Sequence, residues 1–475
     1  MNIELILPQI FLFAWAALIL IVDFVRKDGS RKGVAWLAII GLVIACILTA
    51  ITRNGEGFFG TYRSDDYGRL FNMVFLMAAI LTILASIDFA EIRFKSKGEF
   101  YGLILLATTG MMFLSGAAEL LTLYVSLELA TIPLYVMAAY MKRDLKSTEA
   151  GLKYLIIGGA SSGLLLFGIS MLYGITGTTF LSHIRFPELV SGGLAAGLVF
   201  AIVMFVAGFG FKLAAAPFHM WAPDVYEGAP TPVTAYISVA SKAAGLVAFV
   251  RIFYQPLLSV QTEWVTILEI VAVLAMVIGN FVALMQTNIK RMLAYSSIAQ
   301  IGYVFVALSA GNAYSIVGMM IFLMAYLFAN IGAFMVVIGF SNMTGSDDIN
   351  DYAGMVRRNP MATIMMTIFM LSLIGIPPTA GFLGKYWLFA AAVKQHIYWL
   401  VVVAVLTSVV SVFYYINIVR QMFFHSREDE SKVYYGPALG FGIAASGFIV
   451  ILICILPATF YAWASAAAKV FFPLF

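Results

Sequence analysis

Apolar runs of about twenty residues recur along the whole 475-residue chain, separated by short polar loops. A run of that length crosses the ~30 Å hydrocarbon core of a bilayer as an α-helix. Within hydrocarbon the backbone must satisfy its own hydrogen bonds, which a helix does. The runs fall at 4–22, 34–52, 70–90, 101–118, 120–140, 151–175, 195–219, 231–250, 264–286, 292–310, 315–341, 361–393, 397–423 and 437–464. The expected fold is therefore all-α, a polytopic membrane protein with about 14 transmembrane helices. Only Ser115–Glu119 separates the fourth run from the fifth. A soluble fold is excluded by composition: 62% of residues are hydrophobic and 11% charged, against about 25% charged in a soluble domain. The first run carries Glu4 as its only early charge, and reads as a retained span rather than a signal peptide.

Basic residues set orientation. The loops on the side reached after the first span carry 18 lysines and arginines. They are Arg26, Lys27, Arg31, Lys32, Arg93, Lys95, Lys97, Lys142, Arg143, Lys146, Lys153, Lys290, Arg291, Arg357, Arg358, Arg420, Arg427 and Lys432. The opposite side carries 7: Arg53, Arg63, Arg69, Arg185, Arg251, Lys394 and Lys469. The expected location is a cell (inner or plasma) membrane, with both termini on the non-cytoplasmic side.

Three basic residues remain, each inside an apolar run: Lys212, Lys242 and Lys385. A lysine at the bilayer centre costs ~2.5–3.5 kcal/mol, so three cost roughly as much as the stability of a whole domain. One acid is placed similarly, Glu128 in the fifth run, and is a natural partner for one of them. Glu269 lies nearer a span end and reads as peripheral. Three cations against one central anion do not balance as structural ion pairs. Intramembrane ionisable groups of this kind mark proton relays. Burial disfavours an ammonium relative to its amine, and a neighbouring carboxylate does the reverse. A buried lysine beside an acid is thus a proton switch that needs no metal or cofactor. Cys46 and Cys454 sit in apolar runs, and the four histidines are scattered. No cofactor or metal is expected in this chain, and redox chemistry is expected in others.

Two of the lysines adjoin sequences that cannot form a straight helix. After Lys212 the chain reads Leu-Ala-Ala-Ala-Pro217-Phe-His-Met-Trp-Ala-Pro223, and before Lys385 it reads Ile374-Gly-Ile-Pro-Pro-Thr-Ala-Gly-Phe-Leu-Gly. Proline breaks a helix interior, and broken backbone at membrane depth persists only within protein or along a wet cavity. Discontinuous helices 7 and 12 are expected. The text Ala207-Gly-Phe-x-x-Lys212 recurs as Ala380-Gly-Phe-x-x-Lys385. Five spans separate the two, so equivalent helices run in opposite directions. That predicts two inverted five-helix repeats, spans 4–8 and 9–13, with ion sites at the breaks. The chain divides into 1–100, an N-terminal three-helix segment; 101–255, the first repeat; 256–425, the second; and 426–475, a C-terminal transmembrane helix. His219, just past the first break, is a further relay candidate. Gly158-Gly-Ala-Ser-Ser-Gly163 lacks the lysine of a phosphate loop and reads as close helix packing.

The segment Pro217-Phe-His-Met-Trp-Ala-Pro-Asp-Val-Tyr-Glu-Gly-Ala-Pro-Thr-Pro232 resembles the signature of the antiporter-like membrane subunits of proton-pumping NADH–quinone oxidoreductase, respiratory complex I. Its wording is that of N-type members rather than the M and L types. Glu128, Asn288–Tyr303 and Ile376–Trp387 agree with it, and the resemblance covers nearly the whole chain. It implies a proton relay of Glu128 with Lys212 in the first half, Lys242 passing the proton laterally, and Lys385 leading to the outer side. It implies quinone reduction in other subunits. It also implies partners of the antiporter-like M and L types and the small K, J and A types, with membrane lipid and no nucleic acid. The rival readings are a multisubunit Na⁺(K⁺)/H⁺ antiporter, a structural subunit that no longer pumps, and the same subunit in a ferredoxin-dependent relative.

Overall fold

A computed structural model describes residues 2–25, 32–94, 97–186, 193–426 and 431–475. The loop residues Arg26, Lys27, Arg31, Lys95 and Arg427 lie outside the described residues. In chain order the helices are α1 (Leu7–Val25), α2 (Lys32–Ile51), α3 (Asp66–Arg93), α4 (Lys97–Ser115), α5 (Leu120–Ala138), α6 (Leu145–Thr176), α7 (Gly193–Leu213), α8 (Trp221–Gly228), α9 (Thr231–Tyr236) and α10 (Lys242–Phe253). They continue with α11 (Val265–Ala283), α12 (Ile289–Leu308), α13 (Ala313–Thr344), α14 (Met355–Arg358), α15 (Pro360–Ile374), α16 (Ala380–Lys394), α17 (Tyr398–Phe424), α18 (Pro437–Ile455) and α19 (Pro457–Ala468). A short hairpin of β1 (Gly55–Gly57) and β2 (Tyr62–Ser64) closes the loop between α2 and α3.

Thirteen described helical segments are long and apolar enough to cross a membrane. The shorter apolar Pro360–Ile374 belongs to the interrupted twelfth span. The chain is a multi-pass membrane protein. α9 and α10 form one span, Thr231–Phe253, joined through a π-helical turn at Ile237–Ser241. The thin boundary after the fourth run is a true stop: Glu119 caps α5 by accepting from the Thr122 N–H, and its strand-like backbone pairs with Phe180. The last run is not one helix. It turns at Leu456–Pro457, because proline cannot continue the hydrogen-bond ladder, and α19 folds back against α3 and α13.

Both expected breaks are present. α7 ends at Leu213, a turn covers 214–220, and α8 follows. Ala214 sits in the left-handed region with φ 55°, a conformation disfavoured for any residue with a Cβ. α15 ends at Gly375, where φ is 93° and glycine carries no such penalty. The neighbour relations recur five spans apart: α4 packs on α5, α5 on α6, and α6 on α7 and α8. Likewise α11 packs on α12, α12 on α13, and α13 on α15 and α16. The lysines approach their breaks from opposite sides. Lys212 is in the last turn of α7, whereas Lys385 is in the second turn of α16.

The two faces of the bundle are joined by different ionic networks. The loop after the seventh span holds no basic residue, but α8 brings Asp224 and Glu227 to the basic loops. Glu227 meets Lys146 at 2.9 Å and Arg291 at 2.9 Å; Asp224 meets Lys153 at 2.7 Å and Arg291 at 3.1 Å. Burial alone disfavours the Glu227 carboxylate, but its bonds to Lys146 and Arg291 outweigh that and hold it below the usual range. On the opposite face Arg251 is buried rather than loop-exposed. It grips Asp65 with both Nη atoms, at 2.7 and 2.8 Å, and donates to the Ser115 carbonyl. This pair ties the last turn of α10 to the start of α3.

Candidate functional site

Lys212 leaves the end of α7 toward α5 and α6. Its Nζ donates to Tyr135 Oη at 3.1 Å, Ser162 Oγ at 3.1 Å and Thr131 Oγ1 at 3.5 Å. Glu128 Oε1 stands 3.6 Å away and accepts the Ser162 hydroxyl at 2.5 Å. Glu128, Thr131 and Tyr135 are spaced i, i+3, i+7, which places them on one face of α5. Ser162 therefore stands between acid and amine, donating to one and accepting from the other. The Lys212 side chain is 2% exposed and that of Glu128 22%.

Lys242 lies on the fully buried eighth span, directly after the π-helical turn. Gly245, one turn on, faces the first centre: a Cβ there would stand 3.6 Å from Lys212 Cβ. Lys242 Nζ points the other way, donating to Ser297 O at 2.9 Å and Ser297 Oγ at 2.7 Å on α12. The same helix continues the polar line. Ser296 bonds Tyr415, and Gln300 Nε2 donates to the Leu373 carbonyl at 2.9 Å and to Tyr415 Oη at 3.4 Å. The next carbonyl, Ile374 O, accepts Lys385 Nζ at 2.8 Å, and Ser408 Oγ accepts it at 3.0 Å. The Tyr303 ring faces Lys385 Nζ at 4.5 Å from its centroid. Neither Lys242 nor Lys385 has a carboxylate partner among the described residues. Polar groups of α12 thus lie between Lys242 and Lys385 in two hydrogen-bonded sets, Lys242 with Ser297, and Ser296 and Gln300 with Tyr415 and the Leu373 carbonyl; the Gln300 Oε1, Tyr326 Oη and Asn330 Oδ1 atoms are buried without a protein partner. Such atoms are costly unless hydrated, and buried water bound by several polar groups is their usual solution.

His219 is buried in the turn after the first break, 7% exposed, with Nδ1 unpartnered and its ring edge toward Tyr295. No hydrogen bond joins it to any of the three lysines among the described residues. Glu269 is half-buried on the first turns of α11, apart from this line.

Residues 117–411 match the family described as "NADH:quinone oxidoreductase/Mrp antiporter, TM". The chain is 43% identical over 94% of its length, and 94% of the relative's, to NADH-quinone oxidoreductase subunit N of Heliobacterium modesticaldum. It is 41% identical to subunit N of Moorella thermoacetica over 99% of both chains. The chain belongs to the subunit N family of NADH–quinone oxidoreductase. Subunit N relatives of this similarity place it in a membrane enzyme complex, as an antiporter-like subunit packed beside other membrane subunits. A chain of respiratory complex I from Thermus thermophilus superposes with a TM-score of 0.82 at 31% identity, covering 97% of this chain and 100% of that one. A chain of the Mrp complex from Dietzia superposes at 0.87 with 17% identity, over 100% of this chain and 98% of that one, which shows a shared fold.

For this subunit N member, two groups of site residues escaped the sequence reading. Ser162 lies in the glycine-rich segment read as packing alone. Gly158 does pack there, where a Cβ would meet the Tyr135 ring, but Ser162 holds both members of the ion pair. The α12 face of Ser296, Ser297, Gln300 and Tyr303 carried a usable signal. Polar residues at i, i+1, i+4 and i+7 in an otherwise apolar span form a stripe.

Proposed function

We propose that the chain is the proton-translocating subunit of its complex, moving protons through Glu128, Lys212, Lys242 and Lys385 while quinone reduction takes place in other subunits. The observation that carries this reading is the set of three buried ammonium groups. Two lie at helix breaks, and hydroxyl, amide and carbonyl groups run between Lys242 and Lys385. Glu128 and Lys212 form the charge pair that a change in the neighbouring subunit loads or unloads. Lys242 carries the proton sideways toward the second half. His219 serves the first break as a water anchor rather than by direct bonding to a lysine. The scarcity of carboxylates around Lys242 and Lys385 favours protons over Na⁺, a hard cation that takes oxygen ligands.

The same proposal assigns spans 4–8 and 9–13 to two inverted repeats, with 1–100 and 426–475 flanking them. It gives the chain M-, L-, K-, J- and A-type neighbours, a cell-membrane location with both termini on the non-cytoplasmic side, and no cofactor of its own. Proton uptake by inverted membrane vesicles tests it, with assembly of each variant verified. Lys212→Ala and Glu128→Ala are expected to abolish most pumping per electron; wild-type stoichiometry in both removes the assigned roles.

A further inference from the structure

Besides the line from Lys242, a second string of polar groups reaches Lys385, and it starts at the surface. A cavity of about 410 Å³ lies between α11 and α17, lined in part by Gln286, Ile349, Tyr414, Asn417 and Arg420. Gln286 belongs to the loop after the ninth span, Ile349 to the loop after the eleventh, and Arg420 to the end of the thirteenth, so the mouth opens on the face that carries the basic loops. Its inner wall is Tyr414, 5% exposed. Tyr414 Oη donates to Asn280 Oδ1 at 3.0 Å. Asn280 Nδ2 donates to Tyr303 Oη at 3.0 Å and to its own helix at Met276 O, 2.7 Å. Both ends of the Asn280 amide are therefore engaged, and its orientation is fixed. The Tyr303 hydroxyl has Thr407 and Ser408 beside it, and Ser408 Oγ accepts from Lys385 Nζ.

A buried asparagine that holds two tyrosine hydroxyls in a string, in a membrane helix, is costly unless it is used. The adjacent Tyr415 packs its ring against Tyr414, with centroids 4.4 Å apart, and bonds Ser296 and Gln300 of α12. The two tyrosines thus bring the string from the cavity and the polar groups of α12 side by side on the way to one lysine.

We propose that Lys385 takes up protons from the basic-loop face through this cavity, along the hydroxyls of Tyr414, Tyr303 and Ser408, with Asn280 holding the two tyrosine hydroxyls in line and water carrying the proton between them. This gives the second half of the chain a further supply of protons, whose use is still gated through Glu128, Lys212 and Lys242. Asn280 is a positioning residue, because an amide orients the two hydroxyls without itself exchanging a proton readily. The neutral amine of Lys385 gains an N–H bond as a hydroxyl or water O–H beside it is lost, and the cavity returns the proton to that oxygen. The sequence resemblance assigned Lys385 an outlet toward the outer side; the uptake route adds an inlet on the opposite face. It rests on Lys385 being a proton carrier, as proposed above.

The test uses the assembled complex in inverted vesicles, whose outward surface carries the basic loops. In an Asn417→Cys variant, a bulky membrane-impermeant maleimide added outside is expected to attach and to lower protons pumped per electron several-fold relative to the same variant unlabelled. Tyr414→Phe, which keeps the ring and loses the hydroxyl, is expected to lower the same ratio while electron transfer continues. Reaction at Asn417→Cys with no change in pumping, or reaction only from the vesicle interior, overturns the route. If Tyr414→Phe does not assemble, the labelled cysteine decides alone. Lys385→Ala is measured in parallel. Wild-type pumping there sinks the role of Lys385 itself. Loss there with full pumping after labelling sinks only the uptake route.

Discussion

Glu128→Gln keeps the shape of the side chain and removes its charge, so it isolates the electrostatic link to Lys212. The carboxylate oxygen and Nζ are 3.6 Å apart. At an effective dielectric constant of ~20, unit charges at that separation attract by about 5 kcal/mol. Glu128 retains 22% exposure, so solvent screens one end of the pair, and half the figure is a fair working value. Every ~1.4 kcal/mol is a factor of ten in an equilibrium constant, so losing even half of this attraction is worth more than a factor of ten. The amide keeps the Ser162 bond in place, which limits the packing change. Proton uptake by inverted vesicles, with electron flux followed separately, is expected to show pumping per electron reduced at least tenfold and electron transfer retained. Glu128→Asp, which keeps the charge at a longer reach, is expected to recover much of the loss. An unchanged proton-to-electron ratio in Glu128→Gln, alongside a collapsed ratio in Lys212→Ala, would refute the view that the pair is the switch.

Arg251→Met leaves Asp65 buried without its bidentate partner, and breaking a buried pair in this way costs about 3–5 kcal/mol; a lower melting temperature of the purified complex or loss of the subunit from it is expected, and a melting curve unchanged from wild type contradicts the pairing. Gly381→Ala drives a Cβ into the Ser372 carbonyl oxygen, so α16 must move off α15; overpacking of this kind costs about 1–3 kcal/mol, and reduced assembly is expected, whereas normal assembly with normal pumping argues against so close an approach. For Glu227, whose folded carboxyl is held below its usual range, the stabilisation is present above the unfolded value of about 4.3 and is lost as pH falls through the lower folded value. Wild type is therefore expected to melt higher than Glu227→Gln at neutral pH, with the gap closing in acid; a gap that stays constant across that range excludes the ionic contribution.

The membrane class, the span count and both helix breaks were legible because each rests on a local rule: run length, and proline within a run. Charge balance made Glu128 a partner for one of the three lysines, and the family resemblance named Lys212 as that one. What the sequence withheld is contact between distant segments. Ser162 is 34 residues from Glu128 and 50 from Lys212, and nothing in its own glycine-rich neighbourhood points to either. Arg251 was assigned to a loop because it ends an apolar run, and only Asp65, 186 residues away, explains its burial. The acids of α8 were visible in the sequence, but their basic partners come from the N-terminal parts of α6 and α12, which the fold brings together. The polar stripe of α12 was readable by its spacing, and was passed over because no residue in it is charged.

A helix break does more for a buried lysine than make room for it. The last carbonyls of a helix carry the negative end of its dipole, worth about 0.3–1 kcal/mol to a nearby cation and up to ~2 kcal/mol when partly buried. Lys212 sits in the last turn of α7, and Lys385 donates to Ile374 O at the end of α15. Both breaks therefore offset part of the cost of holding an ammonium inside the membrane. Lys242 has no break; the two oxygens of Ser297 are its only hydrogen-bond acceptors among the described residues. On the proposed reading the outer lysines are resting places for a proton and Lys242 is a crossing point that must empty in each cycle. Lys242→Arg tests this, since a guanidinium stays protonated throughout. It is expected to assemble and to stop pumping as fully as Lys212→Arg does, with the same vesicle assay as readout. A Lys242→Arg complex that pumps at the wild-type ratio would mean that protons reach Lys385 without passing the eighth span, and would leave the cavity at Tyr414 as the supply.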